Sequence, residues 1–154
     1  MALLDERRRF CLMLDYEFGR GTSTALPRSG LDFLYSRRSD RLKQVMHDGK
    51  LFAVVRPNGA IALSLLGARI LASSRTFMQN SVTVSDDAVQ FVRSGKSVFC
   101  KFVLKTGRHV LPGGEVVVLD GRGTPIGVGR AKLPGACMRE FKAGVAVKVR
   151  SAHE

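Results

Sequence analysis

Apolar side chains recur along the first half of the chain at intervals that change from helical to strand-like. Phe10, Met13 and Leu14 share one helical side, with Glu17 beside them, which predicts a helix over Glu6–Phe18 ended by Gly19-Arg20-Gly21. A polar stretch with Pro27 and Gly30 follows. Leu31–Tyr35 and Arg41–His47 then read as strands, the second closed by the turn pair Asp48-Gly49. Leu51–Arg56 and Ala60–Leu63 flank Asn58-Gly59, a second hairpin signal, and Leu65–Ala72 reads as a short helix turning Leu65, Leu66, Arg69 and Ile70 to neighbouring faces.

Beyond Ser73–Ser81, where Ser, Thr, Gln and Asn gather, the pattern becomes strand-rich. Val82–Val84 is a short strand. Ser85-Asp86-Asp87 offers a capping hydroxyl and two carboxylates to a helix that runs to about Ser94 with Val89, Phe91 and Val92 inward, and Gly95 ends it. Val98–Leu104 is so apolar, Lys101 apart, that it predicts a central strand. Pro112-Gly113-Gly114 is a turn; Glu115–Leu119 and Ile126–Leu133 are strands around Asp120-Gly121-Arg122-Gly123. Cys137–Phe141 is a helical turn, and Val145, Val147 and Val149 alternate with Ala146, Lys148 and Arg150 in a last strand. The predicted class is α+β. A helix–antiparallel sheet–helix unit occupies residues 1–76, and a small closed or half-closed barrel occupies 80–152.

Charge sharpens this picture. The 154 residues carry 25 Lys and Arg against 13 Asp and Glu, a formal net charge of +12. Residues 1–78 hold 13 basic and 7 acidic side chains and residues 79–154 hold 12 and 6, so neither half is a basic tail on a neutral body. A basic surface over both units is a footprint for phosphates, the plain alternative being a merely soluble basic protein. No apolar run is long enough for a membrane helix, and Phe10–Leu14 is too short for a signal segment, so a cytoplasmic protein is expected. Cys11, Cys100 and Cys137 are far apart and without paired spacing, which fits three reduced thiols rather than disulfides or a zinc site.

Catalytic groupings are poor. Asp15 and Glu17 are two apart on a predicted helix and do not face each other, so they read as a cap-and-solvent pair. His47, His109 and His153 lie in or beside turns or at the terminus, without ligand-spaced carboxylates or thiols. Gly127 and Gly129 sit inside a strand, where a bulge or close backbone contact is the better reading than a nucleotide loop. No metal, no cofactor and no enzymatic activity is expected.

Cations, by contrast, come in groups. Arg7-Arg8-Arg9 is one, open to a solvated-face reading. Ser36-Arg37-Arg38-Ser39-Asp40-Arg41-Leu42-Lys43 is a second, mixing Arg37, Arg38, Arg41 and Lys43 with hydroxyls suited to phosphate. Gly95-Lys96-Ser97 with Lys101 is a third, and Lys148 with Arg150, beside Arg130 and Lys132, is a fourth. Salt bridges are the alternative for each, but 13 acids cannot pair 25 bases. With no Trp and with most of the nine Phe expected inward, an aromatic stacking surface is not expected, which favours structured RNA or DNA over an unstructured strand.

The segments Asp86-Asp87-Ala88, Phe91–Val103, Gly114–Val118, Val128–Ala131 and Gly144–Arg150 resemble, in this order, a PUA domain. Ahead of them, Asp15–Gly21, Ser36-Arg37-Arg38 with Arg41, Asp48–Leu51, Val54-Val55-Arg56 and Leu63–Arg69 are similar to the stretch preceding that domain in the archaeal, archaeosine-forming tRNA-guanine transglycosylases. The resemblance implies a PUA pseudo-barrel after a small α+β domain, both gripping tRNA, with the PUA domain on the acceptor stem and 3′ end. It implies RNA contacts at Gly95, Lys96, Lys101, Lys148 and Arg150, with Arg37, Arg38, Arg41 and Lys43 as a second set. The family's catalytic barrel, with its carboxylate nucleophile and zinc, has no counterpart in these residues, and 154 residues are too few for a barrel that needs about 200. An RNA-binding accessory, or the detached part, of a tRNA-modifying enzyme is therefore expected, with structured RNA and a catalytic subunit as partners. A protein-interaction or assembly module is the alternative.

Overall fold

The computed structural model describes residues 5–152, and the chain divides into two compact units at the junction of Phe77 and Met78. The expectation for His153 lies outside the described residues.

In the first unit, α1 (Glu6–Phe18) starts at Asp5, whose carboxylate accepts from Arg7 N at 3.1 Å. It buries Phe10, Leu14 and Phe18, one every fourth residue. Strands β1 (Leu31–Tyr35), β2 (Leu42–His47), β3 (Lys50–Val55) and β4 (Ile61–Leu63) form an antiparallel sheet in chain order. The Phe10 ring meets Phe33 and Phe52 edge-on, at 6.1 and 6.0 Å, joining α1 to one face of that sheet.

One expectation changes in this unit. Asp15 and Glu17 are neither idle nor solvent-facing. Asp15 accepts from Ser23 N at 2.8 Å and Ser23 Oγ at 3.0 Å, holding the short 3₁₀ turn Thr22–Ala25. Glu17 accepts from Ile61 N at 2.7 Å and so ties α1 to β4. Helix α2 (Leu65–Leu71) buries Leu65, Gly67, Ala68 and Leu71. Packing is close at Gly67, where a Cβ would fall 2.3 Å from the Phe52 carbonyl oxygen.

The second unit is a six-stranded, nearly closed pseudo-barrel. Its strands are β5 (Ser81–Val84), β6 (Val98–Phe99), β7 (Val103–Thr106), β8 (Glu115–Leu119), β9 (Pro125–Ala131) and β10 (Val145–Ala152), in the order β6-β10-β9-β8-β5-β7. Among the described residues only the β5–β8 pair is parallel. Helix α3 (Asp86–Arg93) and the short α4 (Gly135–Met138) pack on it, and the core is aliphatic, built from Val82, Val84, Val92, Val118, Ile126, Val147 and their neighbours. Gly129 lets β9 and β10 close: a Cβ there would lie 2.1 Å from the Lys148 carbonyl oxygen.

The expected central strand Val98–Leu104 does not exist. A 3₁₀ turn, Cys100–Phe102, splits it into β6 and β7, which stand at opposite edges of the sheet. Its apolar run serves a crossing from edge to edge, so Phe99 and Leu104 are about half exposed. Phe91, expected inward, is 47% exposed, because α3 turns Ala88 and Val92 to the barrel instead. Ser85 occupies the cap position of α3 but its hydroxyl makes no capping bond.

Candidate nucleic-acid interface

The third cation group owes its shape to the end of α3. Ser94 is the last half-helical residue, and Gly95 takes a left-handed φ of 85°. Gly95 N donates to Val92 O at 2.9 Å and Lys96 N donates to Phe91 O at 2.9 Å, the paired bonds of a Schellman cap. This turn folds Lys96 back, placing its Nζ 5.5 Å from the centre of the Phe91 ring. On the 3₁₀ turn, Lys101 Nζ stands 5.0 Å from the centre of the Phe102 ring. Ala88, Phe91, Lys96, Ser97, Phe99 and Phe102 line a hollow of ≈ 250 Å³. That is below the roughly 300–1,000 Å³ of drug-sized sites. Phe91 and Phe99 present rings 47% and 46% exposed. Their exposure departs from the expectation that Phe91 lies inward and that Phe99 belongs to a central strand. The alternation of apolar residues conceals it, since Phe91 and Phe99 look like core until the cap and the edge strand turn them out.

The fourth group divides. Lys148 of β10 pairs in register with Arg130 of β9, and Arg130 pairs in register with Glu115 of β8. Arg150 is the extra residue of a bulge in β10, between Val149 and Ser151, and bulges re-aim side chains. Its guanidinium reaches the buried Glu115 with two parallel bonds, Nη1 to Oε1 at 2.7 Å and Nη2 to Oε2. Arg150 thus neutralises a carboxylate, while Lys148 and Arg130 stand exposed side by side, and among the described residues no carboxylate pairs with either. Like charges directly opposite one another across strands repel, and a bound anion relieves that repulsion. Lys132 is exposed on the chain just beyond β9.

The second group forms the tip between β1 and β2. Ser36 N donates to Arg41 O at 2.8 Å, Asp40 N donates to Ser36 O at 2.9 Å, and Asp40 takes a positive φ of 54°. Arg37, Arg38 and Lys43 are exposed. Arg41 is engaged, its Nη1 donating to Pro57 O at 2.5 Å and its Nε to Ser39 Oγ at 3.2 Å. Of the first group, Arg7 donates to Pro27 O at 2.6 Å and serves the fold, while Arg8 and Arg9 are exposed. Beside them, burial and a hydrogen bond with Glu6 push the Tyr35 phenol above its ordinary range, against a smaller opposing pull from Arg9. Burial likewise pushes the Cys100 thiol up. Among the described residues no three His, Cys, Asp or Glu side chains gather as a metal-holding group, and no helix is long and apolar enough to cross a membrane.

Comparison with known proteins places these features. Residues 80–153 match the PUA domain model, and residues 8–77 match the patch-forming domain C2 of tRNA-guanine transglycosylase. The chain is 33% identical over 141 residues to a tRNA-guanine(15) transglycosylase of Thermococcus onnurineus, covering 91% of this chain and 24% of the relative. It is 32% identical over 151 residues to that of Thermococcus kodakarensis, covering 97% of this chain and 26% of the relative. The chain therefore spans about a quarter of the length of the curated relatives it matches. In fold it is similar to a hypothetical protein of Pyrococcus horikoshii (TM-score 0.73, 20% identity, 95% of this chain and 89% of that one). It is also similar to a conserved PUA domain protein of Thermoplasma acidophilum (TM-score 0.68, 18% identity, 95% and 87%). Together the two matches run from residue 8 to residue 153 in the order C2 domain then PUA domain, so the chain belongs to the family of the C-terminal part of archaeal tRNA-guanine transglycosylases.

Proposed function

We propose that this protein binds tRNA, with its PUA domain on the acceptor stem and the unpaired 3′ end, as a non-catalytic accessory or detached part of a tRNA-modifying enzyme. The observation that carries this reading is the hollow at the end of α3, where half-exposed Phe91 and Phe99 rings lie beside Lys96 and Lys101. Half-exposed rings with lysines beside them suit an unstacked base and its phosphates. Gly95, Lys96 and Lys101 therefore belong to the base-holding end. Arg130 and Lys148 supply phosphate contacts on the sheet, and Arg37, Arg38 and Lys43 supply a second cationic set on the C2 domain. Arg41 and Arg150 drop to supporting roles, because each already spends its guanidinium inside the protein. The relatives' names support tRNA as the substrate, and the matched quarter, which carries the C2 and PUA domains, supports binding rather than base exchange. The test is titration of labelled tRNA against salt: engagement of about 5–6 phosphates predicts a slope near −5 in log affinity against log salt. A slope near zero contradicts the reading.

A further inference from the structure

The C2 sheet has two faces of unlike origin. Phe33, Val45 and Ala53 lie on one and are covered by α1 and α2 through Phe10, Phe52 and Gly67. The other face is set by register: Asp32 pairs with Met46 and Met46 with Leu51, while Leu34 pairs with Gln44 and Gln44 with Val54. Partners in register share a face, so these residues form two adjoining rows. Four of the six are apolar and only Asp32 is charged. Leu34 is 45% exposed, Leu51 37% exposed and Asp32 exposed, while Gln44, Met46 and Val54 are half-buried. The solvated face of an antiparallel sheet normally alternates to polar residues, and these rows do not.

We infer that this face seats the portion of a transglycosylase polypeptide lying outside the quarter that this chain matches. The inference rests on the reading of the chain as part of a modification enzyme and deepens it. Two observations choose the occupant. On a chain of net charge +12, the rows carry a single acid and no cation, which is the wrong chemistry for phosphates and the right one for a polypeptide surface. The relatives carry the matched segment together with roughly three times its length of further polypeptide, since the match covers 24% of one and 26% of another.

The experiment uses the full chain in its own cells, with a benzophenone amino acid in place of Leu34. Light-induced products are identified by mass spectrometry, and RNA joined to the unmodified chain by ultraviolet light is sequenced in parallel. The expected product at position 34 contains transglycosylase peptides from outside the matched region, and it falls at least tenfold when Leu51→Glu is added. RNA at position 34, a second copy of this chain, or no product overturns the inference. The RNA-binding reading fails separately, if ultraviolet light joins no RNA to the unmodified chain.

Discussion

Arg150 and Lys148 sit two residues apart on one strand and do different work. Lys148→Ala removes a free cation, so it lowers the salt slope by about one and leaves folding intact. Arg150→Ala leaves the buried Glu115 without its guanidinium. With Arg150 itself partly exposed, the cost is about 1–3 kcal/mol of stability, read as a lower midpoint in urea. A shared loss of slope with no loss of stability at Arg150 would show that the pair does not hold it. From the strand alternation alone the two residues look equivalent, because a bulge is a one-residue slip that leaves no mark in composition. Cys100 gives a second residue-scale prediction. Burial holds its thiol above the ordinary range, so iodoacetamide at pH 8 should modify the half-buried Cys11 and Cys137 well before Cys100. Mass spectrometry of the timed products checks the order.

At the scale of elements, the end of α3 matters most. Gly95 adopts a conformation that L side chains resist, so Gly95→Ala should cost about 1 kcal/mol by urea unfolding. It should also weaken RNA binding by loosening Lys96 from the Phe91 ring. Replacing Phe91 and Phe99 with Ala together should weaken binding by about 1–3 kcal/mol with the salt slope unchanged, since stacking releases no counterions. A changed slope would mean that the rings act only by holding the lysines. The helix and its glycine stop are legible in the sequence, as are the two hairpins, because turn residues and helical spacing are local signals. The exposure of Phe91 is not legible, since it depends on which side of α3 the barrel takes. The division of Val98–Leu104 into two edge strands is not legible either: barrel closure, not local preference, places the 3₁₀ turn.

Across the whole molecule, a net charge of +12 shared by both units becomes a set of particular cations. Among the described residues, exposed cations without a carboxylate partner stand at Lys96, Lys101, Arg130 and Lys148 on the PUA domain and at Arg37, Arg38 and Lys43 on the C2 domain, while Arg7, Arg41 and Arg150 are bound into the fold. The family resemblance was readable from segments such as Phe91–Val103 because they combine glycine stops, strand valines and cations in a fixed order. Charge counting cannot separate free cations from occupied ones, which requires the partners Pro27, Pro57 and Glu115. The hollow's hold on the RNA end is measured by comparing two tRNAs that differ only in their unpaired 3′ nucleotides, bound by the wild-type chain and by the Phe91→Ala, Phe99→Ala double variant. Trimming the 3′ end should weaken the wild-type chain about tenfold and leave the variant nearly unchanged, as expected for the loss of one stacked base. Equal binding of both tRNAs by the wild-type chain would contradict the assignment of the hollow to the RNA end.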